Sequence, residues 1–140
     1  KEAASRAGDP VSVSFIRKWA RVHDLPQAIR REVARGRIAP SAAKHVARLG
    51  GTDRYLLAWA VIDGEMTVRE VRSVASAVND GTAIPRAVRE VGVELAHLTV
   101  DLPVETYVEL RRRAAMRNVE PGVIVAAALD DRFATAPGEE

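Results

Sequence analysis

No cysteine occurs in the chain, which excludes a disulfide framework, a thiolate metal site and a cysteine nucleophile. No apolar run approaches the ~20 residues needed to span a bilayer, and nothing resembles a signal peptide, so a cytoplasmic protein is expected. His23, His45 and His97 stand apart, without HxxxH or HxH spacing; they suggest no metal site, and His45 is expected at the surface or against phosphate. Gly50-Gly51 lacks the GxxxxGK or GxGxxG context of a phosphate-binding loop and reads as a turn. No serine has an evident His/Asp partner. Asp130-Asp131 and Glu139-Glu140 read as solvated charge. The expectation is a protein that is not an enzyme and carries no cofactor.

What the chain does have is charge sorted by sign. The net +2 conceals eleven Lys+Arg against four Asp+Glu in residues 1–50, five against six in 51–92, and five against nine in 93–140. A solvated surface would mix signs more evenly. A basic head with an acidic tail points to a polyanion partner for the head alone.

Residues 1–92 show no alternating strand pattern and read as short helices between turn signals. KEAASRAG ends at Gly8; because Lys1 already lies inside that helix, the chain is expected to be part of a longer protein. GDPVS makes a tight connection to a helix from Ser14, and Pro26 closes that helix and opens QAIRREVARG. Pro40 starts IAPSAAKHVARLGG, and RYLLAWAVIDG follows with an apolar stripe. Thr67 and Glu70 have capping-box spacing ahead of TVREVRSVASAVNDG. Trp19 and Trp59 lie on apolar faces and are expected in the core. Residues 82–94 are expected as a linker helix.

After Gly92 the period changes. In LAHLTVDLP, Ala96, Leu98, Val100 and Leu102 alternate with His97, Thr99 and Asp101, the pattern of a strand with one buried face. Two helices follow, VETYVELRRRAAMRN and GVIVAAALDDRF. A lone strand leaves its backbone unpaired, so pairing with the same strand of a second chain is expected. Arg111 to Arg113 are expected to pair along their helix with Glu105 and Glu109. The tail 135–140 is expected to fray.

On the helix from Ser14, Arg17, Lys18 and Arg21 form a stripe opposite Phe15, Ile16, Trp19, Ala20 and Val22. A helix, a turn holding Ser12, and a basic second helix is a helix-turn-helix layout, in which the second helix enters the major groove. Further phrases follow in order: DLP at 24–26, ARGRI at 34–38, SAAKHVARL at 41–49 and MTVREV at 66–71. With these, residues 1–81 resemble the central DNA-binding domain of the ParB/KorB partition family. The resemblance implies sequence-specific binding of double-stranded DNA by Ser12, Ser14, Arg17, Lys18 and Arg21, with Lys44 and Arg48 on backbone phosphates. It further implies plasmid or chromosome partition, or transcription regulation, and a partition ATPase reached through a region outside this sequence. Val13 is a departure, since the family often has a basic residue between the two hydroxyls of the turn. The family's nucleotide-binding motif is not in the sequence, and no CTP chemistry is inferred.

Residues 95–134 resemble ribbon-helix-helix proteins, whose paired chains interlock one strand and two helices each. The resemblance implies a homodimer through Leu98, Val100, Leu102, Tyr107, Leu110, Ala114, Ile124, Ala128 and Leu129. Asp101 and Glu120 would face any phosphate backbone, so dimerisation rather than DNA reading is expected of this segment. The expected fold is therefore mainly α, a multi-helix helix-turn-helix domain plus a β-α-α dimerisation unit, and the expected function is a DNA-binding homodimer on an inverted repeat. The rival is a protein-interaction adaptor, in which the C-terminal unit pairs with another protein and nucleic-acid binding is non-specific.

Overall fold

The computed structural model describes residues 22–135, and seven helices account for the regular structure among them. The chain divides into two compact units with the boundary between Leu98 and Thr99.

Described residues of the first unit open on helical backbone at 22–23, followed by α1 (Gln27–Ala34), α2 (Pro40–Val46), α3 (Gly51–Asp63), α4 (Val68–Asn79) and α5 (Ile84–Glu90). Local signals set these boundaries. Pro26, extended at φ −57° and ψ 154°, precedes α1, and Pro40 occupies the first turn of α2, where its missing N–H costs nothing. Gly36, at φ +81°, lets the chain reverse after α1, so that the Arg37 N–H reaches the Glu32 carbonyl at 2.9 Å and the Gly36 N–H reaches that of Val33 at 3.0 Å. Thr67 and Glu70 form the expected capping box: the Glu70 N–H donates to Thr67 Oγ1 at 3.2 Å, and the Thr67 N–H donates to Glu70 Oε1 at 2.9 Å. Thr67→Ala is expected to cost about 1 kcal/mol in urea unfolding; no loss would mean the box adds nothing to α4.

The core joins all five helices. Ile29, Ile38, Val46, Leu57, Val71, Val74 and Val88 are fully buried. Helix α2 packs on α4, α4 on α5, and α3 touches α2, α4 and α5. Small residues let α2 come close, with Ala42 and Ala43 both buried. Arg54, in the first turn of α3, satisfies two otherwise open carbonyls after α2, donating Nε to Leu49 O at 2.7 Å and Nη2 to Ala47 O at 3.0 Å. Trp59 is partly buried against the core, tilted toward Tyr55 with ring centroids 6.1 Å apart.

The stretch 82–94 is not a linker. Ile84, Ala87 and Val88 of α5, with Val93 after it, belong to the core, because α5 has its own apolar face and closes over α3 and α4. Val93 seats on Gly64: a Cβ at position 64 would lie 2.5 Å from Val93 Cγ1 and 2.9 Å from the Ala60 carbonyl, so only glycine fits there.

Described residues of the second unit form a hairpin of α6 (Val104–Arg117) and α7 (Pro121–Thr135). Asn118, left-handed at φ 56°, ends α6, and the Val119 N–H bonds back to Ala114 O at 3.0 Å. The expected β-α-α unit is not formed, and no strand exists among the described residues. Two physical reasons account for it. Ala96, at φ +57°, interrupts the extended run at its entry, and the described chain offers no partner to complete a ladder. The face expected to be buried is open instead, with Leu98, Val100 and Leu102 exposed by 68%, 59% and 39%. The fold is mainly α, as expected, but the ribbon-helix-helix part of the expectation is overturned. The tail 136–140 lies outside the described residues.

Candidate nucleic-acid interface

Ser12, Ser14, Arg17, Lys18 and Arg21, the expected DNA readers, lie outside the described residues. Backbone at 22–23 is helical, the Leu25 N–H donates to Val22 O at 3.1 Å, and both side chains are buried. The Asp24-Leu25-Pro26 phrase is thus a turn anchored in the core by Leu25.

Directly after that turn comes a basic face. Ile29 and Val33 of α1 point inward, and 100° per residue then puts Arg31 at the centre of the outer face with Arg30 and Arg35 on its flanks. All three are exposed, as is Arg37 in the following turn. Glu32, whose side chain is 16% exposed, sits between Arg35 at 3.6 Å and Arg37 at 3.7 Å and offsets part of their charge. No carboxylate among the described residues pairs with Arg30 or Arg31. The sequence expectation passes over these four arginines. Their signal is the placement of Arg31 and Arg35 opposite Ile29 and Val33, with Arg30 at the edge of that face.

Lys44 and Arg48 differ in what they are free to do. Lys44, on α2, is half-buried and has no partner among the described residues. Arg48 ties α2 to α4, donating Nη2 to Ser76 Oγ at 3.2 Å while Nη1 faces His45 Nδ1 at 3.5 Å. A guanidinium has five N–H donors, so this anchoring leaves others for a phosphate oxygen. His45 is buried, at 8% exposed, rather than on the surface: α2 is so rich in small residues that its buried face is wide enough to take in the imidazole.

In the second unit, Leu110 and Ile124 are partly buried and Ala114 fully so, forming the seam of the hairpin. Tyr107, Ala128 and Leu129 are exposed, and the Arg111 guanidinium lies 5.7 Å from the Tyr107 ring centroid. Arg112 and Arg113 both bond Glu109, Arg112 through Nη2 at 2.6 Å and Arg113 through Nε at 2.5 Å. The Arg112 hydrogen bond foremost, then that of Arg113, holds the Glu109 carboxyl down at about 2. These two arginines are thereby occupied along their own helix.

Residues 1–93 match the model of a family of unknown function, DUF7119. The chain belongs to this family. The DUF7119 match stops at Val93, the residue that closes the core of the first unit, so the α6–α7 hairpin lies beyond it. No curated protein and no solved structure matches the chain. Among the described residues of this DUF7119 protein, no His/Cys/Asp/Glu group could hold a metal ion and no helix is long and apolar enough to cross a membrane.

Proposed function

We propose that the first unit binds double-stranded DNA with sequence preference, as a partition protein or transcription regulator of ParB/KorB-like build does. The observation that carries the reading is the segregation of charge: seven net positive charges fall in residues 1–50, while the rest of the chain is net negative. Phosphate neutralisation by Lys and Arg supplies most non-specific affinity for duplex DNA, and a sign-sorted head is suited to it. Two further features support the reading. The helices from 22 to 79 follow the order of the ParB-like phrases, with the DLP turn leading into α1. Arg30 and Arg31 project from the outer face of α1 with no carboxylate beside them among the described residues. In this arrangement the segment from Ser12 to Arg21 reads base edges and nearby phosphates, and Arg30, Arg31 and Lys44 hold the backbone.

Selection from a random duplex pool, repeated at rising salt with competitor DNA, tests the reading. A specific reader enriches a defined sequence that persists after non-specific binding has faded. If the pool emerges without a preferred sequence, the reading fails and a non-specific adaptor takes its place.

A further inference from the structure

The second unit lacks a core. Between Thr99 and Thr135 only Ala114 is buried, at 3% exposed. Helix α7 is the sharper case, because residues 122–129 read GVIVAAAL without a charge and yet no residue of α7 is buried. These first turns of α7 are apolar on every side, and such a surface is covered in the working state. Val125, Leu129 and Phe133 recur along one side of it at 37%, 47% and 68% exposure, and Val104 and Val108 of α6 are exposed by 72% and 56%.

Units of about 40 residues usually depend on disulfides, a metal or oligomerisation for stability. The chain has no cysteine, so a disulfide is not open to it. We infer that the α6–α7 hairpin is a self-association surface that pairs with the hairpin of a second copy of this chain. Area and charge favour that occupant. The exposed large apolar side chains of the hairpin present on the order of 1,000 Å², against about 800 Å² per partner in a standard interface. Residues 99–135 carry five arginines and six carboxylates, so two copies meet with almost no net repulsion. A two-fold arrangement of the same patch closes the assembly at two chains. The inference stands apart from the DNA reading and survives its failure.

Light scattering on the full 140-residue chain at tens of micromolar is expected to give twice the 15.2 kDa chain mass. The double change Leu129→Glu with Phe133→Glu is expected to return it to a single chain, whereas Asp131→Lys, on the other side of α7, leaves the dimer intact. Since the chain has no cysteine, a single introduced one reports proximity directly. Leu129→Cys is expected to oxidise to a covalent dimer while preserving the melting temperature, and Asp131→Cys is expected not to cross-link. A monomeric wild-type chain, a double variant that remains dimeric, or equal cross-linking at 129 and 131 overturns the inference.

Discussion

Changing Arg17, Lys18 and Arg21 together to alanine is expected to weaken duplex binding at least ~100-fold near physiological salt, or about 2.7 kcal/mol. If all three meet phosphates, the slope of log affinity against log salt falls by about 2.7, because each contact releases about 0.9 of a counterion. If one meets a base edge instead, the slope falls less and discrimination at one position of the site relaxes. The stripe lies opposite Phe15, Ile16 and Trp19 in the sequence, so the circular-dichroism melt is expected to stay nearly unchanged. Titration of labelled duplex at three salt concentrations reads both numbers. Arg30→Gln with Arg31→Gln makes the comparison: backbone contacts there weaken binding to all sequences alike. Unchanged affinity in the triple variant would remove the segment from the interface.

Leu57→Ala is expected to have the largest effect on stability, about 3 kcal/mol, with a fall in melting temperature of roughly 15 °C for a unit of this size. Leu57 has no exposed surface and sits on α3, the helix that touches α2, α4 and α5. The loss combines the transfer of a large side chain with the void left among three neighbours, which cannot all close on it. Leu56, next along the helix, is only partly buried at the edge of the core, and its alanine variant is expected to lose less. Urea unfolding of both variants decides the matter; a smaller loss at 57 than at 56 would mean that α3 is not the centre of the unit.

The contrast between what the sequence discloses and what it conceals follows the range of the forces involved. Pro26, Gly36, Pro40 and the Thr67–Glu70 box act within a turn or two, so the bounds of α1, α2 and α4 are legible residue by residue. The alternation from Ala96 to Leu102 is a local pattern too, but a strand needs a distant partner, and period two alone carries no information about one. Residues 84–90 are short and follow a turn, and their place in the core depends on α3 and α4 lying where Ile84 and Val88 can reach them. His45 shows the same limit, since its burial comes from how closely α2 packs rather than from its own polarity. Of the site, the DLP turn and the basic surplus of the head are readable in sequence, whereas the division of labour between Arg48, held by Ser76, and Arg31, held by no carboxylate among the described residues, needs three dimensions.

The reach of Arg54 back to Leu49 and Ala47 spans only five and seven residues. Closing so short a loop sacrifices little chain entropy, so the corner between α2 and α3 can assemble while the rest of the polypeptide is still searching. A folding route that begins there has the α2–α3 corner in place before α4 and α5 arrive.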